Sequence, residues 1–415
     1  MARTDSRQEK HQHNRNEGYE FEQSDPMRVI IVGAGIGGLA AAVALHKTGV
    51  EALVIERTPS IREVGAGLSL WSNAVNALRE LGLDAKVIAA GSLIERSLVQ
   101  TPKGRVISRT ELGDVIRMAG SPCICIHRAV LQKILLDALP PHLVRTDARC
   151  VGLDGSTVIL ENGEHIQADV LVGADGISSV IRDGLHGAEA PRYAGYTAWR
   201  GICEDNGFLP ERSALLVMGG GSQFGGVPCG PGRLYWFLTK NAPRGTTQSK
   251  KEVDSVCRDW AAPVPEIVAG TPQHAILQND IIDRPPLQWW GRGMVTLLGD
   301  AAHPTTPNLG QAACQALEDA VILAHCLSET HPVEVALRKY EGLRLPRTTE
   351  VDRNSWQTGK VIQLDSPRLE QLRNWFMGTG VSRRLEQRTF SRLLTYQLPR
   401  LRSRAQIPSV QMNSW

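Results

Sequence analysis

Apolar runs of strand length alternate with glycine turns over residues 29–57. The first run leads through Gly33, Gly35 and Gly38 into a helix of small residues. The second run ends at Glu56. In this pattern the glycines allow a tight turn, close approach of backbone amides to a pyrophosphate, and close packing of helix on strand, while the later acid binds a ribose. The sequence therefore predicts a dinucleotide site, for either NAD(P) or FAD.

Two later apolar runs also end in turns that suit a phosphate or a sugar. Residues 169–182 pass from a buried strand into the turn Asp175-Gly176 and then a helix. Residues 293–319 pass from a strand that ends at Asp300, through a proline-containing loop, into a helix after Gly310. An NAD-dependent dehydrogenase needs only the first turn. Three such turns indicate one extended dinucleotide held in a crevice between domains.

The periodicity elsewhere in the N-terminal half predicts both helices and strands. Residues 73–81 and 129–139 have helical spacing, whereas residues 93–126 alternate like strands, with a turn expected at 112–114. Residues 151–166 are predicted to form a hairpin.

Residues 192–283 contain short alternating strands that are rich in glycine and aromatic residues. This texture predicts a mostly antiparallel second domain. One face of its sheet could cover a cofactor ring and form an apolar substrate pocket. Arg200 and Tyr235 are hypothesised to reach into that pocket as polar groups, although structural roles fit them equally.

Beyond residue 333 the spacing is helical, and residues 366–404 are rich in arginine. Apolar residues recur in that stretch at Leu369, Leu372, Trp375, Phe376, Leu385, Phe390, Leu393 and Leu394. A basic amphipathic segment could touch a membrane surface or a nucleic acid. The commoner arrangement, which we expect here, packs its apolar side on its own domain.

The overall composition excludes several classes of protein. The 415 residues include 46 Lys and Arg against 43 Asp and Glu, and this formal net charge of +3 creates no general attraction for nucleic acid. No run approaches the roughly 18 apolar residues of a membrane span. Residues 1–26 lack the apolar core of a secretory signal and are expected to be a flexible leader, with Met27 as an alternative start. We therefore expect no nucleic acid partner and no integral membrane contact.

The eight cysteines are scattered, with neither a C-x-x-C pair nor a histidine at metal-ligand spacing. This distribution favours a reduced, cytoplasmic protein without a metal site. Cys123 and Cys125 would share one face of a strand, where packing is favoured over redox chemistry.

Three motifs, in their order and spacing, resemble those of a known family. Residues 33–38 read Gly-Ala-Gly-Ile-Gly-Gly, residues 173–176 read Gly-Ala-Asp-Gly, and residues 298–304 read Leu-Gly-Asp-Ala-Ala-His-Pro. They are similar to the motifs of the single-component FAD-dependent aromatic hydroxylases, monooxygenases of the p-hydroxybenzoate hydroxylase fold.

The resemblance implies an α/β fold with a Rossmann-like FAD-binding domain, an interleaved, mostly antiparallel β substrate domain and a C-terminal helical segment. The implied boundaries are 27–92, 127–190 and 284–355 for the FAD-binding domain, 93–126 and 191–283 for the substrate domain, and 356–415 for the helical segment.

The resemblance also implies roles for residues at the polar part of the cofactor. Glu56 would bind the adenosine ribose, and Asp300 the ribityl chain. Asp175 would serve both FAD and a transient nicotinamide cofactor. Arg128 begins a predicted helix, where the dipole disfavours a cation, so a nearby phosphate or carboxylate would explain it; a solvated arginine is the alternative.

At the flavin ring, the resemblance implies contact with the backbone at Ala66 and Gly67, although this stretch alone could equally be a bulged edge strand. Pro307 would lie against the isoalloxazine, and amides after Gly310 would stabilise negative charge on it. The candidate cofactor-binding residues are Gly33, Gly35, Gly38, Glu56, Arg57, Ala66, Gly67, Arg128, Asp175, Asp300, Pro307, Gly310, Gln311, Ala312 and Ala313. The candidate catalytic residues are Arg200, Tyr235 and Pro307.

The implied reaction begins with reduction of FAD by NAD(P)H, and O2 then gives a flavin C4a-hydroperoxide that hydroxylates a small aromatic or polycyclic substrate. NADH and NADPH fit equally. Alternatives are an epoxidase or uncoupled NAD(P)H oxidase of the same fold, or a flavin-binding protein without catalysis. Ala312 stands where relatives commonly have glycine, and Gln223 stands where urate-hydroxylating relatives are expected to carry a basic residue, which argues against urate.

Overall fold

A computed structural model describes residues 27–60, 66–247 and 249–403. The leader predicted over 1–26 lies outside the described residues, as do residues 61–65, between the second and third strands.

The strands follow one another from the first dinucleotide motif to the third. In chain order they are β1 (Val29–Val32), β2 (Ala52–Ile55), β3 (Gly67–Leu70), β4 (Ser92–Ile94), β5 (Arg96–Gln100), β6 (Val106–Glu111), β7 (Cys123–His127), β8 (Val144–Arg145), β9 (Cys150–Asp154), β10 (Thr157–Leu160), β11 (His165–Gln167), β12 (Val170–Gly173), β13 (Arg192–Glu204), β14 (Ser213–Gly219), β15 (Ser222–Pro228), β16 (Arg233–Asn241), β17 (Leu277–Asp283) and β18 (Val295–Leu297).

The helices lie mainly between strands in the first half of the chain and follow one another at its end. They are α1 (Ile36–Thr48), α2 (Ser72–Leu81), α3 (Asp84–Ala90), α4 (Gly113–Ala119), α5 (Arg128–Leu136), α6 (Val180–His186), α7 (Lys250–Cys257), α8 (Val264–Ala269), α9 (Ala312–Glu329), α10 (Val333–Ile362), α11 (Pro367–Met377) and α12 (Gly380–Leu394).

A parallel sheet with strand order β18-β12-β1-β2-β8 forms the centre of the fold. Its central strands are continuous buried apolar runs, as expected where helices cover both faces of a parallel sheet. The register aligns Val32 with both Ile55 and Gly173. Because the carboxyl ends of parallel strands meet at one edge, the turns that follow β1, β2, β12 and β18 gather there. This arrangement confirms the predicted Rossmann-like α/β fold.

A second sheet, of seven strands, has the order β17-β13-β16-β15-β14-β5-β6. Neighbouring strands within this sheet run antiparallel, except β14 and β5, which run parallel to each other. One face carries Trp199, Phe224 and Trp236 and is covered by α7 and α8. Since side chains alternate between the faces of a strand, Arg200 and Tyr235 belong to the opposite face. The mostly antiparallel second sheet is therefore confirmed.

Three short helices differ from the sequence-based expectations. α4 occupies the segment where we expected only a turn at 112–114, because the residues after Gly113 bury Val115 on one side of a helix. α7 and α8 interrupt the stretch 192–283, where we predicted short alternating strands and did not identify a helix. Both helices form because the broad apolar face of the second sheet requires a cover.

Two three-stranded sheets complete the strand pairing. β7 pairs with β3 and β4 and does not join the seven-stranded sheet, although we placed residues 93–126 with the strands of the second domain. Cys123 and Cys125 lie on β7 and are both buried. The predicted hairpin at 151–166 has an additional strand, because a second turn at 155–156 precedes the expected one at 161–163.

The C-terminal helices correct one expectation. Phe390, Leu393 and Leu394 pack into an apolar cluster of the chain, as we expected. Other apolar residues of the same segment are solvent-exposed: Leu369, Leu372, Trp375, Phe376 and Leu385. The segment forms two helices, α11 and α12. Only the end of α12 reaches the cluster, so the apolar residues nearer the start of the segment stay exposed.

Within the described ranges, no helix is both long and apolar enough to cross a membrane. The same residues contain no group of three or more His, Cys, Asp or Glu side chains that could hold a metal ion. All eight cysteines are free and buried, which agrees with their predicted packing role.

Candidate active site

The first glycine turn is fixed by close backbone contacts. Gly33 has φ of 110°, and a Cβ there would lie 2.5 Å from the carbonyl oxygen of Ala174. A Cβ at Gly38 would overlap the carbonyl oxygen of Gly33. At Gly35 a Cβ would meet nothing within 4 Å, and this residue caps α1 without any side-chain hydrogen bond. The N-terminus of α1 is therefore open, with first-turn N–H groups available to an anion.

Glu56 is held beside this turn by backbone donors. Its Oε2 accepts a hydrogen bond from the N–H of Ala34 at 2.9 Å, and its Oε1 accepts one from the N–H of Thr58 at 3.0 Å. Arg57 is exposed. The carboxylate is thus oriented before any ligand binds, which suits its predicted contact with a ribose hydroxyl.

Asp175 has one satisfied and one unsatisfied carboxylate oxygen. Its Oδ2 accepts a hydrogen bond from the N–H of Val180 at 2.7 Å, at the start of α6. Its Oδ1 is buried and has no hydrogen-bond partner within the described part of the chain. Burial raises the pKa of this carboxyl group, although hydrogen bonds from Ser179 and nearby N–H groups oppose the rise. A buried acceptor without a donor indicates a place for a ligand hydroxyl.

Asp300 lies just past the carboxyl end of β18, in a concave part of the surface that we call the crevice. The side chain is accessible to solvent, yet the surrounding protein is dense enough to raise its pKa by desolvation. The positive charges of His303 and Arg128 oppose this rise, which places Arg128 near the same carboxylate. Arg128 itself is exposed and begins α5. The crevice therefore brings together the acidic side chain of Asp300 and the basic side chain of Arg128, which are distant in sequence.

The loop before α9 is clamped on its outer side. The hydroxyl of Tyr196 donates to Oδ1 of Asn308 at 2.8 Å, and the hydroxyl of Ser355 donates to the carbonyl of Thr306 at 2.6 Å. Pro307, between these two contacts, is exposed. Gly310 has φ of 61°, and a Cβ there would lie 3.0 Å from Nε1 of Trp71. Tyr196 and Ser355 hold one side of the loop, and Trp71 packs against Gly310 at its end. Pro307 stays exposed to solvent.

The N-terminus of α9 offers donors next to this loop. Ala312 and Ala313 begin the helix, and no side chain caps it. The Oε1 of Gln311 accepts hydrogen bonds from Asn73 and Gln315, at 3.0 and 2.9 Å. Its Nε2 is buried and has no partner within the described residues. An anionic or carbonyl oxygen would find several N–H groups here.

The face of the second sheet that carries Arg200 and Tyr235 packs against β3. A Cβ at Gly67 would overlap the ring of Tyr235, so the two residues are in direct contact. Burial raises the pKa of Tyr235 to about 12, and the charge of Arg200 opposes this rise. Tyr235 is thus neutral near neutral pH and can donate a hydrogen bond, but it is not a base. Ala66, Trp71 and Phe237 belong to the same apolar cluster.

Sequence analysis missed a buried network of charges behind the third motif. Arg344 of α10 contacts both Glu318 and Asp319 of α9, each at 2.6 Å. Asp319 also contacts Nε2 of His303 at 2.6 Å and accepts from the N–H of Gly299 at 3.0 Å. Although burial raises it, the charges of His303 and Arg344 bring the pKa of Asp319 down to about 2. The regular spacing of polar residues on α10 was the only signal in the sequence, and it does not identify partners.

A family model described as an FAD binding domain matches residues 26–355 of the chain. The chain belongs to the single-component FAD-dependent aromatic hydroxylase family. As a member of these FAD-dependent monooxygenases, it is an oxidoreductase with FAD as its cofactor.

Individual relatives agree with this membership. The chain is 39% identical over 370 residues to the aurachin C monooxygenase/isomerase of Stigmatella aurantiaca, covering 88% of this chain and 97% of that protein. It is 33% identical over 363 residues to an FAD-dependent urate hydroxylase of Klebsiella pneumoniae, covering 84% and 94%. The crystal structure of K. pneumoniae HpxO complexed with FAD and uric acid superposes with a TM-score of 0.83 at 29% identity, covering 90% and 98%.

The site of this flavoprotein fits its cofactor on structural grounds. The uncapped N-terminus of α1 suits a pyrophosphate, and the unpaired Oδ1 of Asp175 suits a ribose or ribityl hydroxyl. Asp300 is exposed despite its dense surroundings, so its carboxylate is accessible to a polar chain of the cofactor. The roles of the individual residues remain predictions.

Asp352, a buried acidic residue of α10 near the loop before α9, should make the stability of the protein depend on pH. Burial and the charge of Asp283 raise the pKa of Asp352 from 3.8 to about 6, against the charges of Arg192 and His303. The raised pKa means that ionisation destabilises the folded state increasingly between about pH 4 and pH 6. Asp352→Asn should therefore raise the free energy of unfolding by about 2–3 kcal/mol near pH 8. Near pH 5 the gain should be smaller than at pH 8 by roughly 1–2 kcal/mol.

Urea unfolding of the FAD-loaded protein at both pH values would measure this difference. Asp259→Asn, at an exposed position, serves as the control and should change stability little at either pH. A stability gain for Asp352→Asn that is equal at the two pH values would contradict the titration of this carboxyl group.

Proposed function

We propose that this flavoprotein uses NAD(P)H and O2 to hydroxylate a small aromatic or polycyclic substrate. In such a reaction one oxygen atom enters the substrate, the other leaves as water, and NAD(P)H supplies two electrons. Bound FAD would supply the oxygen-activating chemistry, and the protein must orient the substrate and exclude water.

The observation that carries this proposal is the aromatic face of the second sheet beside the flavin motifs. Tyr235 contacts Gly67, and Phe237 packs over Gly225, where a Cβ would overlap its ring. A flat apolar wall of this kind suits a planar substrate. Arg200 pairs with Phe237 on this face, so we assign it the binding of a polar oxygen or nitrogen of the substrate.

The remaining residues have roles in positioning. Tyr235, neutral because its pKa is raised to about 12, would donate a hydrogen bond to the substrate. Pro307 would lie against the ring of the flavin on a loop that Asn308 and Thr306 anchor to neighbouring elements. The open N-terminus of α9 would stabilise negative charge on the reduced ring.

The relatives narrow the choice of test substrates. Aurachin C and uric acid, which are named for two of them, belong in a panel with phenolic, indolic and polyketide-like compounds. Gln223 is neutral and buried on the same sheet face as Tyr235, which disfavours an anionic substrate such as urate at that position.

The decisive assay measures NAD(P)H oxidation, oxygenated product and hydrogen peroxide with the FAD-loaded protein. We expect at least one compound to stimulate NAD(P)H oxidation and to yield product in a matching amount, with the oxygen atom derived from labelled O2. Reactions without substrate serve as the control. Stimulated oxidation that yields only hydrogen peroxide would indicate an oxidase, and no oxidation with either nucleotide would contradict the proposal.

A further inference from the structure

The two C-terminal helices α11 and α12 expose an unusual amount of apolar surface. Fourteen large apolar side chains are exposed among the described residues, and six of them belong to these two helices. They are Leu369, Leu372, Trp375, Phe376, Val381 and Leu385. Trp375 is 68% exposed. Clustered exposed apolar side chains on a soluble protein mark a contact with a partner or a membrane.

These side chains follow helical spacing on the outer side of each helix. Leu369, Leu372 and Phe376 are three, four and seven residues apart, which places them along one side of α11. Val381 and Leu385 are four residues apart on α12. The pattern gives each helix a stripe of apolar side chains that faces away from the chain, in addition to the residues of α12 that pack inwards.

The charge of the same surface is positive. Arg384, Arg388 and Arg392 recur every four residues on α12 and are exposed like Leu385, and Arg368 lies in the first turn of α11. The carboxylates of these helices are turned inwards: Glu370 accepts a hydrogen bond from the N–H of Gly220 at 2.7 Å, and Glu386 accepts one from Thr110 at 3.2 Å. Arg392 also contacts the exposed Glu350 at 3.1 Å, so the arginines outnumber the carboxylates on this surface and would attract lipid headgroups with negative charge.

We propose that this basic apolar face, the outer side of α11 and α12, docks on an anionic lipid bilayer. Leucine and aromatic side chains would enter the boundary between headgroups and acyl chains, with Trp375 at the interface, while the arginines contact the headgroups. A second copy of the chain is disfavoured, because a two-fold dimer through this face would oppose the same arginines across its axis.

The position of α12 connects this face to the proposed substrate pocket. Its inner residues Phe390, Leu393 and Leu394 belong to the apolar cluster that contains Tyr235, and the ring of Phe390 lies 5.3 Å from that of Trp71. A docked bilayer would thus lie about one helix diameter, roughly 10 Å, from the pocket wall. Docking itself does not depend on the proposed reaction, but a substrate dissolved in the bilayer would gain a short path.

The test is co-sedimentation of the FAD-loaded protein with vesicles of phosphatidylcholine, with and without phosphatidylglycerol. We expect binding to the mixed vesicles that weakens as salt is raised, and little binding to phosphatidylcholine alone. The double variant Arg384→Glu/Arg388→Glu should bind the mixed vesicles at least about tenfold more weakly. Leu372→Ser/Trp375→Ser should also lose binding at least tenfold, because it removes the apolar contact.

Matched controls separate docking from a general effect of charge or folding. Lys251→Glu/Arg258→Glu makes the same charge change at exposed positions in or next to α7, on the other side of the second sheet, and should retain binding. Flavin absorbance and thermal unfolding of each variant report the fold. No binding of the unmodified protein to the mixed vesicles, or an equal loss in the control variant, would overturn the proposal. So would a dimer, measured by light scattering, that Leu372→Ser/Trp375→Ser converts to monomer. Because the assay requires no turnover, it stands or fails independently of the hydroxylation assay.

Discussion

Asp300→Ala should yield a folded protein that retains little or no FAD through purification. Asp300 lies just past the carboxyl end of β18, where the predicted ribityl contact would be made. A hydrogen bond to a charged group contributes about 1.5–3 kcal/mol, so the Kd for FAD should rise roughly ten- to a hundredfold for each bond lost. The ratio of flavin to protein absorbance and a titration of the apoprotein with FAD would measure the change.

The control for this variant is Asp259→Ala, which removes an exposed carboxylate outside the crevice. It should keep the flavin content of the unmodified protein. If Asp300→Ala keeps full flavin occupancy and an unchanged Kd, the third motif has been assigned the wrong role, although membership of the family would stand.

Arg344→Met should cost the folded state about 3–5 kcal/mol. Arg344 is completely buried and holds two buried carboxylates, those of Glu318 and Asp319. Removing one partner from a buried ion-pair network is strongly destabilising, and here Glu318 would keep Arg347, and Asp319 would keep His303, as the remaining basic contact. Urea unfolding of the FAD-loaded protein would measure the loss.

Arg392→Met provides the matched control for this change. Arg392 also contacts a carboxylate, that of Glu350 at 3.1 Å, but its side chain is 77% exposed. Exposed pairs contribute about 1 kcal/mol or less. Equal destabilisation by the two variants would contradict the conclusion that burial gives the network of Arg344 its importance.

The parts of the site that the sequence predicted are those with a local cause. Gly33 and Gly38 stand where a side chain would overlap backbone, and Asp175 and Asp300 lie two and three residues past the ends of buried strands. Since parallel strands end at one edge of a sheet, the order of such turns in the sequence was enough to predict the crevice. The individual contacts of these residues with FAD remain predictions.

The parts that the sequence analysis missed depend on partners distant in the chain. The contact of Arg344 with Glu318 joins two helices, and spacing within one helix cannot show which carboxylate an arginine will meet. α7 is a different case, because Ser249 and Glu252 form a capping box that was legible in the sequence. The alternating strand pattern on either side of α7 led us to interpret the whole stretch as strands.

The exposure of Leu372 and Trp375 could not be predicted from periodicity either. An apolar stripe shows that a helix has a side to cover, but it does not show whether the fold provides the cover. Only the end of α12 reaches the apolar cluster, through Leu393 and Leu394.

The anchoring of the loop beside Pro307 has a consequence for how this protein can be divided. The match to the family ends at residue 355, yet Ser355 holds Thr306 at that boundary, and Gly359 lies four residues past it. A Cβ at Gly359 would lie 2.8 Å from Oδ1 of Asn308, so the helix passes directly against the loop. A fragment cut at the end of the family match would lose part of its own active-site wall. The segment that the family model matches is therefore shorter than the segment that must fold together.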